Sequence, residues 1–177
     1  MKLPPTTELR RIHPLIEVPP ELRGPDLART AHHEAGHVVL MEWVGITPTG
    51  ASATERGGLA HWDLTEIADA TPVDYDRPLA AAQAAAVMHA GIVAELIHAG
   101  LPWAGVLYRP RSQDWQLAAQ LLAPHFGVSL AGHGLSQKTA HAVLTHHWPR
   151  VQQIAAELIE RGTWRPGYSS PEPSTTP

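Results

Sequence analysis

The sequence predicts an α+β fold that is predominantly α-helical, with a helical bundle and a small β-sheet. After Pro72 the composition is helical for most of the remaining chain, whereas residues 46–63 carry Thr and Ser around a glycine pair, which is typical of two short strands. The chain has 177 residues, which fits one domain. Hydrophobic residues make up 44% of it, which is enough for a buried core and excludes disorder throughout.

The first third of the chain is expected to contain an arm, a helix and a hairpin. Residues 1–24 carry several prolines and are predicted to form an extended arm, whose apolar residues could dock on the body. Asp26 is a suitable N-cap for a helix of about five turns that ends before Gly45. Residues 46–63 then predict two short strands joined by a glycine turn.

Three further helices are predicted, at about residues 74–99, 112–124 and 136–161. Ser112 is expected to cap the second of these, and Pro149 is expected to kink or divide the third.

One domain, residues 25–162, follows from these elements. Residues 163–177 end in a run of Ser, Pro and Thr and are expected to be disordered. The longest uncharged helical stretch, residues 78–94, is rich in Ala and shorter than the ~20 strongly apolar residues of a membrane span. We therefore expect a buried helix, no membrane span and, since the N-terminus lacks a secretory signal, a cytoplasmic protein.

Composition excludes several classes of function. Lys plus Arg total 13 against 17 Asp plus Glu, a formal charge of -4 that argues against nucleic-acid binding. Neither lysine, Lys2 or Lys138, follows a glycine, so the chain lacks a P-loop and no ATP binding is expected. The chain has no cysteine, so a metal site would need His and carboxylate ligands, and its 12 histidines are the first indication of such chemistry.

The first predicted helix contains the motif His-Glu-Ala-Gly-His at residues 33–37, which matches HExxH. One helical turn separates His33 from His37, so their rings should lie about 5–6 Å apart on one face and could share an ion. Glu34 projects about 100° away from His33 and could take a proton from metal-bound water. The competing interpretation is a helix whose histidines are solvated or hydrogen-bonded.

A catalytic zinc also needs a third protein ligand. The metzincin pattern is excluded because Trp43 stands where its third histidine would be. Glu55 and Glu66 fall in a predicted turn and loop, with no helix to orient them. Glu95 lies in an apolar helix, where a buried charge is normally paired, and Asp114 lies in the first turn of a helix. Spacing alone does not decide between Glu95 and Asp114.

Residues 30–39 resemble the active-site helix of the FtsH-type zinc metallopeptidases, in which the HEAGH form of the motif recurs. The segment Ser-Gln-Asp-Trp at residues 112–115 is similar to the segment that supplies the third zinc ligand in that family. Residues 90–96 are similar to its Gly- and Ala-rich helix with a glutamate. The resemblance covers about residues 26–125.

This resemblance implies a zincin-like site in which His33, His37 and Asp114 bind Zn2+ and Glu34 is the general base. Glu95 would accept a hydrogen bond from a ligand histidine, or would simply be paired within the helix packing. The family also binds substrate along an edge strand. In this chain the matching residues are Gly58, Leu59, Ala60, His61 and Trp62, which could equally form an ordinary edge strand.

The chain departs from that family because it shows neither the membrane segment nor the ATPase. We therefore expect an ATP-independent peptidase acting on peptides or unfolded protein segments, with an oligomeric state that the family's hexamers do not predict. The alternatives are a catalytically silent zinc-binding regulator that holds extended peptides, a metal-free helical interaction domain, and a hydrolase of small amides.

The remaining histidines are not expected to bind the metal. His32 should face solvent or support the site, and Trp115, next to the proposed ligand, could shape a substrate pocket or simply pack. The other histidines outside the motif and strand are expected at the surface or in the packing: His89, His98, His125, His133, His141, His146 and His147.

Overall fold

A computed structural model describes residues 11–62 and 77–167. The α+β prediction is confirmed, because these residues form five α-helices and five short strands. In chain order the elements are β1 (Leu15–Glu17), a 3-10 turn (Pro20–Leu22), α1 (Leu27–Val44), β2 (Pro48–Thr54), β3 (Gly57–Trp62), α2 (Arg77–His98), β4 (Val106–Tyr108), α3 (Gln113–Phe126), α4 (Leu130–His146), α5 (Trp148–Arg161) and β5 (Thr163–Trp164).

Helix α1 has the predicted boundaries. The Asp26 carboxylate accepts a hydrogen bond from the backbone N–H of Arg29 at 2.9 Å, which satisfies a donor at the free helix end. At the other end Gly45 adopts the left-handed conformation, with φ of 87°, that terminates many helices. The hairpin of β2 and β3 is also as predicted, with an antiparallel register that places Ala51 opposite Ala60.

Helix α2 lies at the centre of the helical layer, in contact with α1, α3 and α4. This helix is 22 residues long. The reason given for expecting no membrane span, that the apolar stretch is too short, was therefore wrong. Its length and composition would allow a membrane span, but 72% of its most apolar part is buried against the other elements. The expected buried core helix is therefore what the fold shows.

Close packing of α1 against α2 sets the position of the motif histidines. A Cβ added to Gly36 of α1 would lie 2.7 Å from the Ala94 Cβ and 2.8 Å from the Ala90 carbonyl oxygen. Only glycine allows this approach, which brings the histidine face of α1 against α2.

The sheet has the order β3-β2-β5, with β3 at one edge. Strand β5 corrects the expectation of a disordered tail from residue 163, because Thr163 pairs with Ser52 of β2 and Trp164 is buried. Two residues are too few to show a strand period, and it is burial of the Trp164 ring that orders them. Residues 168–177 of the predicted tail lie outside the described part of the chain.

The arm is ordered against the body from residue 11 onward. Strand β1 pairs in parallel with β4, Leu15 lying opposite Val106. The buried Gln137 side chain of α4 holds β4 in place by accepting the Leu107 N–H at 2.8 Å and donating to the Leu107 carbonyl at 3.0 Å. The first ten residues of the predicted arm lie outside the described residues.

The last two predicted helices agree with the structure except for the start of the final one. Ser112 caps α3 as predicted, accepting the Trp115 N–H at 3.2 Å. The helix predicted at residues 136–161 instead starts at residue 130 and is divided into α4 and α5. The division expected at Pro149 is confirmed: this residue occupies the first turn of α5, where a missing N–H costs no hydrogen bond, so it starts a new helix and does not kink one. The predicted residues 74–76 of α2 lie outside the described residues.

Candidate metal centre

Three predicted ligands converge on one point. His33 and His37 leave the same face of α1, and Asp114 faces them from the first turn of α3. The His33 Nε2 atom lies 3.1 Å from His37 Nε2 and 3.2 Å from Asp114 Oδ2, and the remaining distance is 3.7 Å. The three donor atoms all lie within 4.8 Å of one another, so this group could hold a metal ion.

Hydrogen bonds on the far side of each ring fix the tautomers. The Nδ1 of His33 lies 2.7 Å from Glu95 Oε1, and the Nδ1 of His37 lies 2.7 Å from the Val87 carbonyl oxygen. A carboxylate and a carbonyl only accept, so both Nδ1 atoms carry the proton and donate it. In the neutral rings both Nε2 lone pairs then point at each other and at Asp114, an arrangement that repels unless a cation lies between them.

The spacing of these atoms also matches a metal. Zinc bonds to nitrogen and oxygen are about 2.0–2.1 Å long, which places neighbouring donors of a tetrahedron about 3.3–3.4 Å apart. The observed donor separations of 3.1, 3.2 and 3.7 Å bracket that value. The residues present therefore fit a small divalent cation with three protein ligands.

The electrostatics of the group favour positive charge. Burial lowers the pKa of His33, but hydrogen bonds to the Asp114 and Glu95 carboxylates more than offset it and raise that pKa to about 10. Burial also lowers the pKa of His37, but the charge of Asp114, a hydrogen bond to that carboxylate and the charge of Glu34 together more than offset burial and raise the pKa. Burial raises the pKa of Asp114, but the two histidines reverse that effect and hold it well below its ordinary value. The site thus attracts protons or a metal cation.

Glu95 lies behind His33 and not among the three donor atoms. Its Oε1 accepts from His33 and from Arg109 Nη1 at 3.0 Å, and its Oε2 accepts from Arg109 Nη2 at 3.2 Å and lies 3.5 Å from Arg29 Nε. Burial raises the pKa of Glu95, but His33 and Arg109 have the larger opposite effect. The net pKa is lowered, so the carboxylate stays ionised. Glu95 therefore orients the His33 ring, which leaves Asp114 as the third donor.

Glu34 is buried between α1 and strand β3. The backbone N–H of Ala60 hydrogen-bonds its carboxylate, and a Cβ added to Gly58 would lie 2.6 Å from Glu34 Cγ. Burial raises the pKa of Glu34, although the charges of His37 and His33 partly oppose this. A carboxyl of raised pKa next to a metal site is suited to accept and return a proton near neutral pH.

Two of the three donors, His33 and Asp114, line a cleft of about 780 Å³ together with Glu34, and this is the size of a small-molecule or short-peptide site. Gly58 lines this cleft and Ala60 is buried beside Glu34. The other predicted substrate residues lie outside the cleft lining: Leu59 and His61 are exposed and Trp62 is half-buried. Within the described residues no strand pairs with the outer edge of β3.

A second pair of histidines lies behind Asp114. His89 is 1% exposed and its Nε2 lies 2.9 Å from His133 Nδ1, while the Trp115 ring stacks on His133 with ring centres 4.1 Å apart. Burial and the neighbouring His133 lower the pKa of His89 to about 3, and burial lowers that of His133 to about 4. These neutral rings pack against the start of α3, and Trp115 lines a small cavity beside the metal centre.

Several of these neighbours were not predicted. No spacing in the sequence links Arg29 or Arg109 to Glu95, and the only available signal was the rule that a buried glutamate is paired. His32 was expected to face solvent, or else to support the site, and solvent exposure is wrong. It is buried, donates from Nδ1 to the Ala28 carbonyl at 2.7 Å, and stacks on His98.

Glu55, which was also considered as a ligand, does not join the donor group. Glu55 lies in the β2–β3 turn and lines the cleft, but it is not one of the three convergent donors. Glu66 lies outside the described residues.

Comparison of the chain with protein-family models, with curated proteins and with solved structures found no match in any of the three. The resemblance to FtsH-type metallopeptidases therefore stands on the motif residues alone.

Proposed function

We propose that the protein is an ATP-independent zinc metallopeptidase that hydrolyses peptide bonds in peptides or unstructured segments. The observation that supports it most strongly is the convergence of His33, His37 and Asp114 within 4.8 Å, with Glu34 in the same motif. Two imidazoles and a carboxylate are ligands that catalytic zinc sites use, and three protein ligands leave a fourth position open.

A zinc ion held there would act as a Lewis acid on the scissile carbonyl and would make a water molecule more acidic. Glu34, whose pKa is raised by burial, would take the proton from that water and pass it to the leaving amine. Glu95 and the Val87 carbonyl hold the two imidazoles in the tautomer that leaves Nε2 free to bind.

The substrate is expected to be extended. A peptide laid along the open edge of β3 would pair with backbone groups of the strand, which favours unfolded segments over folded proteins. The sequence contains no P-loop that would drive unfolding. Because α2 is mostly buried within the helical layer, we place this activity in solution and not in a bilayer.

The test combines metal analysis with peptide digestion. Purified protein should contain about one zinc per chain, a chelator should abolish cleavage of a peptide mixture, and added zinc should restore it. Glu34→Gln should keep the metal and slow turnover by about 10²–10⁴-fold, because only proton transfer is lost. Asp114→Ala should lose the metal as well.

Three results would overturn the proposal. Protein without a bound metal would favour a metal-free interaction domain. A zinc-loaded wild type that binds peptides without cleaving them would favour the silent zinc-binding relative. Normal turnover by zinc-loaded Glu34→Gln would remove Glu34 from the mechanism.

A further inference from the structure

We propose that the cleft recognises a carboxylate of the substrate peptide, either an acidic side chain or the C-terminal carboxylate. The inference rests on the proposed peptidase function and names its substrate class. It starts from four arginines that line the same cleft as the metal centre and come from four different parts of the chain: Arg23, Arg29, Arg56 and Arg109.

Positive charge is in excess on this part of the cleft wall. Apart from Glu34 and Asp114, which belong to the metal centre, the acidic residues of the lining are Glu55 and Glu95. Two carboxylates thus face four guanidinium groups. The whole chain has a formal charge of -4, so this excess is local and does not follow from composition.

Part of the excess charge is buried. Glu95 is a single carboxylate shared by Arg29 and Arg109, and its side chain is 5% exposed while that of Arg29 is 12% exposed. Arg29 also donates to backbone carbonyl oxygens, including that of Gly24, which satisfies its N–H groups without neutralising its charge. A buried cation without its own anion favours an anionic ligand close by.

Arg56 and Arg23 are the groups that can reach a ligand. Arg56 lies in the exposed β2–β3 turn, and its guanidinium forms no ion pair or hydrogen bond with any of the described residues. Arg23 has a side chain that is 59% exposed and donates to the Val18 carbonyl, but its carboxylate neighbour, Glu17, is distant at 3.9 Å and almost fully exposed. Guanidinium groups bind carboxylates well because two parallel N–H groups match two oxygens.

The arrangement also indicates which part of the peptide carries the carboxylate. Arg56 directly precedes Gly57, and Gly58 contacts Glu34, the proposed base. Strand residues are about 3.3 Å apart, so a carboxylate held at Arg56 belongs to a residue about two positions from the bond that Glu34 serves.

The experiment uses matched fluorogenic peptides with the zinc-loaded protein. One pair differs only by Glu against Gln two residues from the cleaved bond, and the other only by a C-terminal carboxylate against an amide, so the two pairs distinguish the two sources. We expect kcat/KM to be about ten-fold or more higher for the carboxylate member of at least one pair, as for a charge-assisted hydrogen bond. Arg56→Gln or Arg23→Gln should reduce that preference to near one, and Arg56→Glu should invert it.

Arg165→Gln is the matched control, since it removes the same charge from an exposed position outside the cleft and should leave the preference unchanged. Equal kcat/KM for both members of both pairs would overturn the inference and leave the peptidase function standing. A preference that persists in both cleft variants would also overturn it.

If the protein cleaves none of the peptides, the proposed peptidase function is contradicted. The carboxylate inference is then tested by measuring peptide binding. Anisotropy of the labelled peptides on the zinc-loaded protein should show tighter, salt-sensitive binding of a carboxylate member that is lost in Arg56→Gln. Equal or undetectable binding of both members would refute it.

Discussion

Gly91 determines how closely the His33 ring can lie against helix α2. A Cβ added at Gly91 would lie 2.3 Å from His33 Nε2 and 2.4 Å from its Cε1. The ring cannot simply rotate away, because its Nδ1 is held by Glu95 at 2.7 Å. The absence of a side chain at residue 91 therefore makes room for a donor of the candidate metal site, although Gly91 is not itself a donor.

Gly91→Ala should weaken zinc binding by about 10–100-fold, the range seen when the support of a ligand histidine is disturbed. The helix itself should not suffer, because Ala is about 1 kcal/mol more favourable than Gly inside a helix. Zinc affinity by chelator competition and helix content by circular dichroism together separate the two effects.

The control is Gly134→Ala on α4, where the added Cβ would lie 2.6 Å from the Cδ2 atom of His13. This clash is of the same kind, yet it involves a histidine of the arm outside the donor group, so zinc affinity should stay at the wild-type value. Wild-type zinc affinity in Gly91→Ala would show that the His33 ring has room to move.

The ligands and their supports differ in how far the sequence predicts them. His33, Glu34 and His37 lie within one helical turn, so a local motif defines them. Asp114 lies 81 residues from His33. Residue spacing did not decide whether Asp114 or Glu95 is the third ligand, and only the motif resemblance favoured Asp114. Gly91 and the arginines around Glu95 were not predicted, because their roles exist only once α1, α2 and the loop before α3 pack together.

At the scale of elements, strand β3 and helix α1 together set the position of Glu34. The backbone N–H of Ala60 hydrogen-bonds the Glu34 carboxylate. The missing side chain of Gly58 leaves the space that the Glu34 Cγ occupies. Residues i and i+2 of a strand face the same side, so these two positions act together. The hairpin thus places the proposed general base next to the strand that is proposed to bind peptide.

Gly58→Ala should lower kcat/KM for a neutral peptide substrate by about ten-fold or more while zinc content stays near one per chain. The added Cβ would lie 2.6 Å from both Glu34 Cγ and the Ser52 carbonyl oxygen, so the base or the strand must shift. A displacement of about 1 Å near the reacting groups is enough for a large loss of rate. Steady-state kinetics on metal-quantified protein gives the comparison.

Gly50→Ala on β2 serves as the control, because its added Cβ would meet only the Trp164 carbonyl oxygen, at 3.2 Å. It disturbs the same sheet without touching Glu34 and should keep most of the activity. Equal losses in both variants would mean that general strain in the sheet, and not the position of Glu34, limits the rate.

Local signals predicted the longer elements and missed the shortest ones. Asp26, Ser112 and Gly45 mark helix ends through their own backbone chemistry, so α1 and the start of α3 were placed closely. Strands β1, β4 and β5 have only two or three residues each and form because partners distant in sequence pair with them. No periodicity can indicate such strands before the packing is known.

For the molecule as a whole, the candidate metal centre connects parts that the rest of the fold joins only indirectly. Helix α1 supplies two donors and α3 supplies the third, and both pack on α2. The hydrogen bonds of Glu95 extend the connection to the arm, because Arg109 also donates to the Leu22 carbonyl at 3.1 Å. A cation bound at the centre should therefore stabilise the whole domain.

Zinc should raise the melting temperature of the wild-type protein by about 8–16 °C. A ligand at about 1,000 times its Kd that binds only the folded state adds about 4 kcal/mol, and each kcal/mol shifts Tm by about 2–4 °C in a domain of this size. Differential scanning fluorimetry with zinc and with a chelator measures the shift. Glu34→Gln should keep it, since Glu34 is not a ligand, whereas Asp114→Ala should lose most of it. Two results would mean that the three donors do not share an ion. One is a wild type that melts at the same temperature with zinc and with chelator. The other is an Asp114→Ala variant whose melting temperature rises with zinc as much as that of the wild type. The apposed lone pairs of His33 and His37 would then have to be separated by a proton.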